Sequence, residues 1–224
     1  MKLIGLMPIE YLKWALINVL RWDGGNKGFS VKSCAHALIL EKLEVHDDWG
    51  IFNFPVEKVW NKLCPSKISF FVWSIARNAT LTVDNLKRRG FQMPNRCVFC
   101  KRMEESINHL FVACDFTRKI WDYFFKSVEL VFDPGKSVLE LIRLLGFPSL
   151  SRFGKCIWDL LFHAVCWNVW LERNGRIFEN EESDVHMLIF RIKKTLWEWS
   201  LLEKDVRGVT LENVIFNWQT VIAF

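Results

Sequence analysis

The chain has 224 residues, 51% hydrophobic and 25% charged, with a net charge of +5. That length can bury a real core in one or two domains, and the balance excludes a disordered or fibrous chain. Seven cysteines cannot all pair internally and form no even disulfide ladder, so a reducing, intracellular location, nuclear or cytoplasmic, is expected.

The start, MKLIGLMPIEYL, has one lysine, a short apolar run broken by Glu10 and no small-x-small cleavage site, which argues against a signal peptide. A helix is expected over Ile9 to Leu20, followed by the turn DGGNKG, which lacks the spacing of a phosphate loop. In FSVKSCAHALILEKL, Ser30 or Ser33 could cap a helix running to about Leu43. HDDW at 46–49 reads as a solvated loop, because no partner carboxylates sit near it in sequence.

Pro65 and Ser66 open a helix in KISFFVWSIAR, where Phe70, Trp73 and Arg77 share one face and Phe71 and Ile75 a neighbouring one. Aromatics at that spacing are read as core. Thr82 is expected to cap the short helix VDNLKRR, and Gly90 to end it in a left-handed conformation. Asp115 is expected to cap FTRKIWDYFFKSV, and DPGK at 133–136 is a turn. Two long helices follow, Ser151 to Glu172 and Ser183 to Glu203. Their tryptophans, Trp158, Trp167, Trp170, Trp197 and Trp199, suggest an antiparallel pair burying aromatic faces. The run from Cys156 to Leu171 is too short for a bilayer and carries Asp159, His163 and Asn168, so it reads as a buried helix and no membrane is expected. Cys156, His163 and Cys166 could suggest a nucleophile beside a base, but on an apolar helix face His163 reads as a core histidine. The sequon Asn78-Ala79-Thr80 stays silent in a protein that is not secreted. The expected fold is mainly α: a small helical zinc-binding domain, then a Trp-rich antiparallel helical pair.

Charge is segregated along the chain. Between Lys58 and Arg102 lie ten basic residues and one acid, Asp84, a net +9 that leaves −4 for the remainder. Such a window points to a polyanion. Cations in the last turn of VDNLKRR also complement the helix dipole, but that accounts for one or two of them, not for the rest.

CVFCKRMEESINHLFVAC at 97–114 has the spacing C-x2-C-x8-H-x4-C. A C-x2-C turn places two thiolates on one side of a tight loop, and zinc favours mixed sulfur and imidazole ligands. Cys97, Cys100, His109 and Cys114 are therefore the candidate zinc ligands, and nearby Lys and Arg favour the thiolate form. His109 and Cys114 lie about 140° apart on a regular α-helix, so the helix begun near Ser106 must end or unwind at Cys114. The other cysteines, Cys34, Cys64, Cys156 and Cys166, have no ligand spacing and are read as core.

The words W-x4-P-x-K-x2-FF-x-W, L-T-x2-N-L-x-RRG, C-x2-C, E-x3-HLF-x2-C and the closing Trp121 together resemble the zinc-binding domain that follows the reverse transcriptase in plant LINE-type, non-LTR retrotransposons. The resemblance spans roughly Phe29 to Trp121, with FSVKS as its lead-in, and WNVWLERNGRIF is similar to the C-terminal region of such polyproteins. It implies a domain order of lead-in 1–28, zinc-binding domain 29–126 and C-terminal helical region 127–224, with Zn2+ on Cys97, Cys100, His109 and Cys114. Where many family members have proline, this chain has Asp115, and either breaks the helix.

The resemblance further implies a non-catalytic module that helps a reverse transcriptase grip RNA or DNA. No Y/F-x-D-D polymerase motif and no distributed acidic set for RNase H chemistry is visible. Sequence-independent phosphate contacts are expected from Lys67, Arg77, Lys87, Arg88, Arg89, Arg96, Lys101 and Arg102. The competing readings are a protein-interaction domain whose Trp-rich helices dock on a reverse transcriptase core, and a retroelement relic without present function.

Overall fold

The computed structural model describes residues 54–144, 150–203 and 208–223. The helices and turns expected before residue 54, the HDDW loop and Cys34 lie outside these residues. The described residues are mostly helical, with no strand among them, as the sequence led one to expect. In order the helices are α1 (Val56–Val59), α2 (Ser66–Ala76), α3 (Val83–Arg88), a π-helical turn (His109–Ala113), α4 (Asp115–Lys126), α5 (Val138–Leu144), α6 (Arg152–Asn174), a second π turn (Gly175–Glu179), α7 (Val185–Ser200), α8 (Leu211–Phe216) and α9 (Trp218–Ala223).

Local chemistry sets the boundaries. Pro65 precedes α2, as expected, and the Ser151 hydroxyl caps α6 by accepting from the Gly154 amide at 2.9 Å. Asp184 caps α7, accepting from Met187 N at 2.8 Å, so that helix starts slightly later than Ser183. At the end of α3 the Gly90 amide donates to the Lys87 carbonyl and the Phe91 amide to the Leu86 carbonyl. This Schellman pattern needs the φ of +92° that Gly90 supplies. Two expected caps are corrected. Thr82 sits at the start of α3 without capping it, and its hydroxyl bonds Asp84 and Thr80 instead. Cys114, not Asp115, is the residue before α4, extended at φ −62° and ψ 134°.

Helix α6 is buried on nearly every side: Ile157, Trp158, Leu160, Leu161, Phe162, Ala164, Val165, Cys166 and Val169 are each 3% exposed or less. A helix apolar over most of its surface needs neighbours on most sides, and here they are protein. No helix among the described residues is long and apolar enough to cross a membrane. α2 presents Ile68, Phe71, Val72 and Ile75, and α4 presents Thr117, Ile120, Trp121, Phe124 and Phe125, both at helical spacing. Phe71 and Ile75 are core as expected; Phe70 and Trp73 are half-buried and stack on each other at 5.4 Å.

α6 and α7 run antiparallel, with Asn168 bonded to Thr195 and Glu172 to Arg191. The tryptophans do not meet between them. Trp167 and Trp170 pack on Phe71 of α2, Trp170 also on Phe111 of the π turn, and Trp158 on Phe125 of α4. α7 buries the aliphatic stripe Leu188, Ile192 and Leu196, while its Trp197 donates to the Val209 carbonyl. The aromatic faces therefore join α6 to the segment containing the cysteines. At the other end, a Cβ on Gly154 would lie 2.2 Å from the Ile222 carbonyl oxygen, so only glycine allows α9 this approach to α6.

His163 is 1% exposed and its Nε2 donates to the Val59 carbonyl at 2.9 Å, tying α6 to α1. This is the core histidine expected, and burial drives the neighbouring Cys166 thiol upward. Burial pushes the His163 imidazole down from 6.5 to about 4, against the Val59 bond and Asp159, which act the other way. Above pH 6.5 folded and unfolded chains both hold it neutral, and below that only the unfolded chain takes up the proton until about pH 4. Stability should thus fall by about 3 kcal/mol as pH drops through this window. Urea midpoints at both ends, for the wild type and His163→Gln, check this: the variant should lack that share of the acid loss.

Candidate metal centre

The knuckle turn is built by the Cys97 amide, which donates to the Met103 carbonyl at 2.8 Å, and the Lys101 amide, which donates to the Cys97 carbonyl at 2.9 Å. Lys101 adopts a φ of +54° to close it. Asn95 braces the base, exchanging side-chain bonds with the Glu105 amide (2.7 Å) and carbonyl (3.3 Å). On the other side the Ser106 hydroxyl accepts from the His109 amide at 3.2 Å, opening the helical segment as expected.

The bend required at Cys114 is met by a π turn. The Cys114 amide donates to the His109 carbonyl at 2.7 Å, a bond from residue i+5 to residue i. The wider turn brings the fifth residue back beneath the first, which an α-turn cannot do. It also frees carbonyls that α4 satisfies: Thr117 Oγ1 donates to Leu110, and the fully buried Trp121 donates to Phe111, each at 2.8 Å. Trp121 thereby holds the turn that aligns two of the four candidate ligands.

The three sulfurs and an imidazole nitrogen all lie within 4.8 Å of one another. Cys97 and Cys114 Sγ are 3.8 Å apart, and Cys100 Sγ is 3.4 Å from His109 Nε2. With Zn–S near 2.3 Å and Zn–N near 2.0–2.1 Å, a tetrahedron has S–S edges of about 3.8 Å and S–N edges of about 3.6 Å. The donor set fits that ion in chemistry and in spacing. Hydrogen bonding between Cys97 and Cys114 splits the pair, pushing Cys97 up to about 12 and Cys114 below its ordinary value. The Phe116 and Thr117 amides at the start of α4 help hold Cys114 low. Burial opposes ionisation of Cys100, but the Met103 and Arg102 amides and His109 outweigh it. The bond to Cys97 raises His109. Cys64, Cys156 and Cys166 lie apart from this cluster, and burial raises all three.

Sequence reasoning missed what surrounds the cluster. Glu105 is fully buried; its carboxylate accepts from the Val83 amide at 3.0 Å and from Arg173 at 2.8 and 3.3 Å. It caps α3 from a distance, doing what Thr82 does not. Arg176 lies 5.0 Å from the Phe99 ring and 4.7 Å from Phe116, residues that flank the cysteines, and also bonds Glu172 at 2.9 Å. Burial works against the Glu172 charge, but bonds from the Ser183 amide, Arg176 and Arg191 hold its carboxyl low. The C-terminal words WLERNGRIF thus contain the side chains that grip the knuckle. Glu105 in E-x3-HLF and both arginines stood in the quoted motifs, which was the available signal.

The basic residues are more dispersed than their window suggested. Lys67 on α2 lies over Trp167 and Arg77 over Phe54, at 5.7 and 5.1 Å. Lys87, Arg88 and Arg89 end α3, with Arg88 paired to Asp84 at 2.8 Å and Arg89 bonded to the Ala79 carbonyl. Arg96 donates to the Lys101 carbonyl on the knuckle. Acids from outside the window reach into it: Asp159 pairs with Lys58, Glu182 with Lys101 and Asp115 with Arg102.

A helical unit carrying a partly buried Cys3His cluster on a knuckle and a π turn defines the class. Residues 29–121 match the family described as zinc-binding in reverse transcriptase, and this stretch is a domain of that family. The chain is also 25% identical over 163 residues to an Arabidopsis thaliana protein named as a ribonuclease H protein. That match covers 71% of this chain but only 25% of the relative, so the chain spans about a quarter of that protein's length. No solved structure matches the chain.

Proposed function

We propose that the chain is a non-catalytic, zinc-stabilised nucleic-acid-binding module from a retrotransposon polyprotein, with Zn2+ held by Cys97, Cys100, His109 and Cys114. The observation that carries this reading is the tetrahedral spacing of four donors inside a domain of a reverse-transcriptase zinc-binding family. The ion would supply a structural crosslink, because all four positions are protein side chains and none is left for substrate. The ribonuclease H name belongs to a relative of which the match covers only 25%. Among the described residues the buried carboxylates, Glu105 and Glu172, are each bound to arginine, whereas two-metal hydrolysis needs carboxylates free to hold cations.

The expected partner is RNA or DNA, met through phosphates by Lys67, Arg77, Lys87, Arg88, Arg89, Arg96, Lys101 and Arg102, with a reverse transcriptase core as neighbour. Four or five phosphate contacts should give a log–log salt slope of about −3 to −4, at roughly −0.7 per phosphate on single strands and −0.9 on duplex DNA. Replacing Lys87, Arg88 and Arg89 by Glu should weaken binding to all sequences and flatten the slope. If those residues serve only their helix, the triple variant will lose a little stability and keep its affinity. A wild-type slope near zero would defeat the reading.

A further inference from the structure

The described surface contains one run, Lys87 to Pro94, in which eight consecutive residues are exposed, two of them large and apolar. Phe91 is 56% exposed and Met93 36%. They line an open groove of about 590 Å³ with Lys87, Gly90, Gln92 and Pro94. A residue in the position of Phe91, just past a Schellman turn, commonly packs back on its helix. Here more than half of its surface remains in water, although the two turn bonds from Gly90 and Phe91 fix its backbone.

Charge decides what such a groove would take. From Asn85 to Met103 there are six basic residues, Lys87, Arg88, Arg89, Arg96, Lys101 and Arg102, and no acid, although Glu182 and Asp115 fold in to pair with Lys101 and Arg102. Lys87, in the groove itself, makes no ion pair among the described residues. Arg88 is shared with Asp84 but stays 57% exposed, and a guanidinium has further N–H donors to offer. An apolar protein surface would have to desolvate these cations, whereas a nucleic-acid strand brings phosphates for them and bases for the ring.

We infer that Phe91 is a stacking platform for an unpaired base, so that this groove binds single-stranded RNA or DNA in preference to duplex. Only an unpaired base offers its face to a side chain. The inference rests on the nucleic-acid reading above and adds the form of ligand. Stacking and phosphate contact differ in salt dependence, which separates them experimentally.

The test is titration of the full chain with a short oligouridylate, a short oligothymidylate and a duplex, across a range of salt. Phe91→Ala should bind either single strand about tenfold more weakly, with the wild-type salt slope and unchanged duplex affinity. Phe91→Trp should restore single-strand binding, while Lys87→Glu should flatten the slope. The urea midpoint of Phe91→Ala should match the wild type, since the ring is exposed. Wild-type affinity in Phe91→Ala, equal losses on single strand and duplex, or a loss of stability in place of affinity would each overturn the stacking role and leave the phosphate reading standing. Absence of salt-dependent binding to any probe by the wild type would overturn both, and a protein partner would then account for the groove.

Discussion

Removal of zinc is expected to open the knuckle around residues 96–106 and leave the helical core in place. Structural zinc contributes about 10–16 kcal/mol in finger peptides, as much as the whole stability of many domains. In this fold, however, Ile107, Leu110, Phe111 and Val112 are each 4% exposed or less and pack into the core shared with α6. Full burial of such side chains is worth about 1.5–3 kcal/mol apiece, so the π turn has its own reason to stay docked. The knuckle has fewer anchors, chiefly Cys97, Phe99 and Glu105. Elemental analysis should find one zinc per chain, lost in Cys114→Ala and kept in Cys166→Ala. After chelation, hydrogen exchange should accelerate over the knuckle and stay slow through α4 and α6. Equal zinc in the two variants would remove the ligand assignment, and unfolding throughout would show that the core depends on the ion.

The sequence displayed the parts of this fold that depend on neighbours along the chain. Helical spacing placed Phe71 and Ile75 of α2 in the core, and Ser151 and Gly90 marked a start and a stop. The clustering of Cys97, Cys100, His109 and Cys114 was legible too, including the need for a bend at Cys114. The form of the bend was not, because spacing says that a helix must unwind without saying whether it breaks or widens. The α3 cap and the partner of Glu105 were hidden for a different reason: the carboxylate reaches Val83 and Arg173 from 22 and 68 residues away. The same limit explains the charge count, since a window of sequence omits acids such as Asp159 and Glu182 that fold onto it. For the tryptophans, composition fixed that aromatic faces would be buried, but their partners lay on α2, α4 and the π turn.

Truncating either partner of the Glu105–Arg173 pair is expected to cost about 3–5 kcal/mol, because the survivor is left charged and buried. Their side chains are 0% and 5% exposed, and two bonds join them. Glu105→Leu also strips the Val83 amide of its acceptor, adding a cap loss of about 0.5–2 kcal/mol. Arg173→Met leaves that cap bond intact, so it should be the milder of the two. The double variant Glu105→Leu/Arg173→Met should recover much of the loss, since a buried pair replaced by apolar groups is often close to neutral. Urea unfolding of the four proteins gives the coupling directly. Zinc content of the same set tells where the strain lands: Glu105 lies between the knuckle and the π turn, so its loss should weaken metal retention, whereas a distant core substitution of equal cost should not. Single variants each costing under about 1 kcal/mol, or a double variant as unstable as the two losses added together, would show that the pair is a surface-like contact and that α6 does not hold the knuckle.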